Sequence, residues 1–146
     1  MGDNHGDLLG YDKTQVTIER IRQFEPSEGY YLAFSGGKDS CVLLALANIA
    51  GIKYDAHMSW TSVDPPEVIM FVRKYFPNVI FDRPKQNMWK LVIDQKFPPT
   101  RLMRYCCRQL KECHGSGRLL LTGIRSEESN QRKKRQMVEL CRTDPR

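Results

Sequence analysis

The sequence predicts an α/β protein: a doubly wound, Rossmann-like parallel sheet of four to five strands with helices on both faces. Three observations predict it. Short apolar runs, Tyr30-Tyr31-Leu32-Ala33-Phe34 the clearest, alternate along the chain with segments of helical spacing. The strands lack polar alternation, as expected where both faces of a sheet are covered. The first strand leads straight into Ser35-Gly36-Gly37-Lys38-Asp39-Ser40 and an apolar helix. Strand, helix and parallel strand joined by right-handed crossovers wind a sheet in this way.

Each element has its own signal. Residues 1–12 read as a loose leader, and 13–146 as the domain. Lys13 to Phe24 carries Val16, Ile18, Ile21 and Phe24 near helical spacing, and Pro26 stops it. Tyr30 to Phe34 is the first strand. The apolar segment from Cys41 is a buried helix ending at Gly51, which suits a left-handed cap. Tyr54 to Trp60 is the second strand. Pro65 and Pro66 open a helix to about Tyr75, with Val68, Ile69, Phe71 and Val72 as its buried face and Pro77 as its end. Val79 to Phe81 is the third strand, and Met88 to Lys96 a helix before Pro98 and Pro99. Arg104 to about Cys113 reads as helical, broken by Gly115 and Gly117. Leu119 to Gly123 is the fourth strand, and Met137 to Leu140 is the place for a fifth.

Bulk properties narrow the function. The 146 residues hold 23 Lys and Arg against 17 Asp and Glu, a formal charge of +6. Residues 1–100 contain 11 basic and 12 acidic side chains; residues 101–146 contain 12 and 5. The positive excess therefore sits in the last third and favours anionic partners. No apolar run approaches the roughly 18 residues of a membrane span. The acidic, polar N-terminus is unlike a secretory signal. Five cysteines, two of them adjacent, argue against a disulfide framework and for a reducing, cytoplasmic setting.

Ser35 to Ser40 has the makings of a phosphate cradle. It lies at the carboxyl end of a strand, where ligands of open parallel sheets bind. Gly36 and Gly37 let the backbone turn and bring N–H groups close to an anion. The helix N-terminus adds its dipole, Lys38 a point charge, and Ser35 and Ser40 hydroxyl groups. A Walker loop is excluded, because its first Gly and its final Ser or Thr fall on Leu32 and Asp39. The Gly-x-Gly-x-x-Gly fingerprint is absent too.

Ser-Gly-Gly-Lys-Asp-Ser after an apolar strand resembles the PP-loop of the adenine nucleotide alpha-hydrolase-like superfamily. Three more segments resemble the phosphoadenosine phosphosulfate (PAPS) reductase family within it: Pro65-Pro66-Glu67-Val68, Arg104-Tyr105-Cys106-Cys107-Arg108-Gln109-Leu110-Lys111, and Thr122-Gly123-Ile124-Arg125-Ser126-Glu127-Glu128-Ser129 with Arg132. They occur in order across residues 30–135. Against this family the chain looks short, as if its C-terminal part were missing.

The resemblance implies binding of ATP or a related adenylyl nucleotide, with Mg²⁺, and chemistry at the alpha phosphate. Lys38, Asp39 and Arg125 are the implied catalytic residues. Ser35, Gly36, Gly37, Ser40, Arg104, Lys111, Gly123 and Arg132 complete the implied nucleotide site. Asp39 is a metal ligand or simply a carboxylate at a helix N-terminus. Arg125 and Arg132 have the forked donors that match phosphate oxygens, although Glu128 is also spaced to pair with Arg132. Lys133 and Lys134 read as a solvated basic face.

Cys106 and Cys107 resemble a pair that in some relatives joins a later Cys-x-x-Cys around a [4Fe–4S] cluster. No Cys-x-x-Cys occurs here, so such a cluster would be completed by residues not in this chain, or by Cys113 and Cys141 in an unfamiliar spacing. Cys41 reads as core. The positive setting of Arg104 and Arg108 is expected to lower a cysteine pKa.

The reductases are similar in using a C-terminal Glu-Cys-Gly-x-His cysteine, which this chain lacks, and in tending to lack an intact PP-loop lysine, which it has. The combination looks more like the ATP-using branch: pyrophosphate release with activation of a sulfur-related substrate. A sulfonucleotide reductase releasing sulfite with a thiol donor is the alternative, and a sulfur-transfer subunit acting on DNA or RNA is another. Implied partners beyond the adenine nucleotide are a nucleic acid or a sulfur-carrier protein. Trp60, Trp89 and Tyr105 read as core or adenine-pocket packing, not as a stacking platform.

Overall fold

The computed structural model describes residues 12–125 and 128–139. It contains one four-stranded sheet, all parallel, in the order β3-β2-β1-β4. The strands are β1 (Tyr30–Ala33), β2 (Tyr54–Ser59), β3 (Ile80–Asp82) and β4 (Leu120–Leu121), and the helices are α1 (Lys13–Gln23), α2 (Lys38–Ala50), α3 (Pro66–Tyr75), α4 (Met88–Gln95) and α5 (Asn130–Lys133). β1 lies between β2 and β4, so the direction of chain progression reverses beside it. Such a reversal opens a crevice at the carboxyl end of the strands.

Local chemistry sets the element ends. Asp12, at the end of the expected leader, caps α1 by accepting from the Thr14 amide at 2.8 Å. The rest of the leader lies outside the described residues. Gly51 ends α2 in the left-handed conformation, with φ 68°. Pro66 opens α3, and Asn87 caps α4 by accepting from the Lys90 amide.

The two faces of the sheet differ. On one face Tyr30, Leu32, Ala56 and Met58 pack with Ile18 and Ile21 of α1, Leu43, Ala47 and Ala50 of α2, and Val72 of α3. This is the main apolar core. On the other face the alternate residues Tyr31 and His57 stack their rings at 4.2 Å, and both side chains bond the Asp82 carboxylate. The chain at 113–118 covers Tyr31. A Cβ on Gly115 would come within 3.0 Å of the Tyr31 ring, so only glycine lets the backbone lie this close.

Four expectations need correction. Phe71 does not join the buried face of α3; Val72 is fully buried, Val68 and Ile69 are half-buried, and Phe71 is exposed. The α2 helix is not buried all round, since Val42 and Ile49 face outward. The segment after Tyr105 is π-helical at Cys107–Lys111, with the Glu112 amide donating to the Cys107 carbonyl at 2.9 Å. Leu110, in that wider turn, is fully buried. Residues 137–139 form a bend and loop, not a fifth strand, and Leu140 lies outside the described residues. Among the described residues, no helix is long and apolar enough to cross a membrane.

Candidate functional site

Ser35 to Ser40 connects the carboxyl end of β1 to the first turn of α2. Gly36 has φ 72°, in the region that favours glycine, and a Cβ there would meet Val72 Cγ2 at 3.0 Å and Val68 Cγ1 at 3.1 Å. The turn is thus seated directly on α3. Ser40 organises it from within: its hydroxyl donates to the Gly37 carbonyl at 2.8 Å and accepts from the Ser35 amide at 3.2 Å. Ser40 is buried, while Ser35, Gly37 and Lys38 are exposed. So Ser40 shapes the loop and the others face solvent.

The N-terminus of α2 fits an anion. Gly37 occupies the cap position and supplies no side chain, so the amides of the first turn have no side-chain cap. Lys38 forms no ion pair among the described residues. Orphan backbone donors, a helix dipole and an uncompensated ammonium converge on one spot.

β4 brings the second half of the site. It pairs with β1 through Tyr31↔Leu120 and Leu32↔Leu121, so its carboxyl end emerges beside the loop. Gly123 passes so close to α2 that a Cβ would lie 3.1 Å from the Asp39 carbonyl oxygen. Arg125 then reaches back, its Nε 3.3 Å from Asp39 Oδ2 and a terminal nitrogen 3.5 Å from Glu128 Oε1. Glu128 also pairs with Arg132. Asp39, Arg125, Glu128 and Arg132 therefore form one chain of alternating charge. Asp39 is engaged by an arginine as well as placed at a helix N-terminus.

Beside that chain lies a cavity of about 710 Å³, lined among others by Arg101, Arg104, Glu112, Glu128, Arg132 and Arg135. Four guanidinium groups face two carboxylates. Arg104 and Arg132 were expected near a ligand from the sequence; Arg101, Glu112 and Arg135 were not. Arg101 carries no recognisable spacing signal, and Arg135 is indistinguishable in the sequence from the neighbouring Lys133 and Lys134, which are exposed. Lys111 does not line this cavity; its carbonyl accepts from the Ser59 hydroxyl at 3.5 Å and its side chain is exposed.

The adjacent thiols sit at the rim of the same region. A terminal nitrogen of Arg104 lies 3.4 Å from Cys107 Sγ, and the two sulfurs are 4.0 Å apart. The bond to Cys107 pushes the Arg104 pKa up. Cys106 departs from the expected lowering: burial, then the neighbouring Cys107, pushes its thiol up. Cys113 donates to the Gln109 carbonyl at 3.1 Å and is also pushed up, chiefly by burial. The described residues contain no group of three or more His, Cys, Asp or Glu able to hold a metal ion. They do not make a cluster site, and Cys141 lies outside them. Cys41 is half-buried against the core.

A family model settles what this arrangement belongs to. The phosphoadenosine phosphosulfate reductase domain matches residues 29–146, from just before β1 to the last residue. The chain belongs to the phosphoadenosine phosphosulfate reductase family. No curated protein and no solved structure gives a significant match. In this family member the PP-loop segment lies at the sheet's reversal point, and Arg125 reaches it through Asp39. The Cys106 segment borders the arginine cavity. The aromatic residues are spread differently: Tyr105 donates to the Phe97 carbonyl at 2.7 Å, Trp89 is exposed, and Trp60 lies beside Arg83 and Arg73.

Proposed function

We propose that this protein binds ATP or a related adenylyl nucleotide through Ser35–Ser40 and acts at its alpha phosphate, releasing pyrophosphate and activating a sulfur-related substrate. The observation that carries this reading is the N-terminus of α2, which has no side-chain cap, beside Lys38, which forms no ion pair among the described residues, at the carboxyl edge of β1. In the proposed reaction an acceptor attacks the alpha phosphorus and the bond to the pyrophosphate oxygen breaks. Lys38 and the loop amides hold the departing charge, and Arg125 and Arg132 clamp phosphate oxygens. Catalysis of this kind is positioning plus charge stabilisation.

The carboxylate partners do not stand in the way. Arg125 and Asp39 are both substantially exposed, and pairs of this kind are worth about 0–1 kcal/mol. A charge-assisted phosphate contact is worth about 1.5–3 kcal/mol, so phosphate displaces the carboxylate. Once released, Asp39 is the loop's own candidate ligand for Mg²⁺, which supplies neutralisation of phosphate charge when bound. The free thiols suit a reducing, cytoplasmic compartment. Incubation with Mg-ATP and the acceptor is expected to yield pyrophosphate; ADP and phosphate as the only products would refute the reading.

One observation favours a second reading, a sulfonucleotide reductase: Cys107 lies against Arg104 at the rim of the arginine cavity. Sulfite release from a sulfonucleotide and a thiol donor, lost on Cys107→Ser, would decide for it.

A further inference from the structure

A second basic surface lies on the β3 side of the sheet, around β3 and α3. Trp60 follows β2, and the guanidinium carbon of Arg83 stands 4.7 Å from its ring centroid. Arg73 of α3 stands 5.9 Å from the same ring and 5.5 Å from Phe81. The next residue, Lys74, lies 5.1 Å from the ring of Tyr75, which packs against Phe71 at 5.2 Å. Two cation–ring clusters thus lie on and beside α3, and Phe71, Arg73, Lys74 and Tyr75 line one groove.

Two features separate this surface from an ordinary solvated face. No carboxylate is within ion-pair distance of Arg73, Lys74 or Arg83 among the described residues. The helix dipole accounts for cations in the last turn of α3, but not for Arg83, which enters from the end of β3. Second, two rings remain partly open to solvent: Tyr75 is 59% and Phe71 39% exposed, and both line an open groove of about 600 Å³ that holds one acid, Glu67. Trp60 and Phe81 fix the two guanidinium groups, which lowers the entropy lost when they bind an anion.

We propose that Arg73, Lys74 and Arg83, with Tyr75 and Phe71, form a binding surface for single-stranded nucleic acid. The cations contact successive phosphates, and the exposed rings take the faces of unpaired bases, a combination that suits single strands without sequence preference. An acidic protein would use the charge and leave the ring faces unexplained. The surface shares helix α3 with the PP-loop's support, since Val68 and Val72 on the inward side of that helix lie beneath Gly36.

The test is fluorescence anisotropy of a labelled oligothymidylate of about 16 nucleotides with the full chain. Three phosphate contacts predict a salt slope of about −2, and so a loss of about tenfold to twentyfold in affinity between about 50 and 200 mM salt. Arg73→Gln with Arg83→Gln is expected to flatten the slope by about 1.4. Tyr75→Ala is expected to weaken binding by about fivefold to a hundredfold, with Tyr75→Phe restoring it. Binding of a non-hydrolysable ATP analogue should be unchanged in all three variants, which keeps this test separate from the nucleotide reading. The proposal is overturned by absence of binding at about 50 mM salt. It is equally overturned by equal affinity for a blunt duplex, by loss of binding only in Arg101→Gln with Arg135→Gln, or by Tyr75-dependent binding to anionic vesicles but not to the oligonucleotide.

Discussion

Arg125 Nε lies 3.3 Å from Asp39 Oδ2, and this contact joins the end of β4 to the first turn of α2. The two residues are far apart in the chain and become neighbours because β4 pairs with β1. The pair bridges the loop that would cradle a phosphate and the arginine segment that would clamp it.

Replacing Arg125 should therefore separate stability from binding. Arg125→Gln is expected to cost at most about 1 kcal/mol, because both partners are substantially exposed. That corresponds to a melting shift of about 2–4 °C for a chain of this size. Affinity for an ATP analogue should fall by about tenfold or more, the loss of one charge-assisted bond. Calorimetric melting and titration of the same sample measure both.

Lys38→Gln makes the same point more sharply. The ammonium has no ion-pair partner among the described residues, so melting should be unchanged. Analogue affinity should drop by about tenfold to a hundredfold. An unchanged affinity would remove the loop from the nucleotide site.

Gly36→Ala and Gly51→Ala form a matched pair. Both residues have positive φ, 72° and 68°, so both substitutions incur a left-handed strain of about 1–2 kcal/mol. A Cβ on Gly51 meets nothing within 4 Å, whereas one on Gly36 meets Val72 and Val68. Urea unfolding should find Gly36→Ala the more destabilised, and the difference measures how tightly α3 holds the loop.

Stability should decline in alkali. Burial, the bond to Asp82 and the Asp82 charge push the Tyr31 hydroxyl well above its ordinary 10.0, and burial and Glu25 push Tyr30 up as well. The unfolded chain then loses these protons first, so their contribution is intact below pH 10.0 and is lost as the pH rises towards the folded pKa values. Denaturant unfolding above about pH 10 should show a falling stability, and Tyr31→Phe a shallower fall.

Thiol alkylation should report Cys113 as slow despite its exposure. Its pKa is raised from 9.0, as is that of Cys106, so both remain thiols at neutral pH. Mass-resolved modification by iodoacetamide should be slow at neutral pH and still be rising at about pH 9, with no plateau reached. Full-rate labelling of Cys113 at pH 8 would contradict the burial argument.

Most of the architecture was legible in the sequence because local signals coincide with tertiary ones. Pro66 opens α3, Gly51 closes α2, and the apolar run at Tyr30 forms the strand before the loop. The loop itself was legible because its chemistry is contiguous. Pairings made across the sheet were not legible. Tyr31, His57 and Asp82 come from three strands, and nothing in their spacing announces a shared carboxylate. Phe71 misled for a related reason: helical spacing marks an apolar stripe, but packing decides which edge of the stripe is covered, and Val72 takes the centre. Arg101 and Arg135 meet at one cavity only through the fold. The π-helical turn at Cys107–Lys111 has no periodicity of its own to detect.

The strand that leads to Arg125 is two residues long, and among the described strands it borders only β1. The loop that carries Lys38 is rooted between the central strand and a thirteen-residue helix. The two jaws of the grip are thus hinged very differently. The lower jaw is part of the frame; the upper hangs from the shortest ladder among the described residues. In the proposed reaction, the clamp would therefore be the part free to yield, while the cradle stays fixed with the sheet.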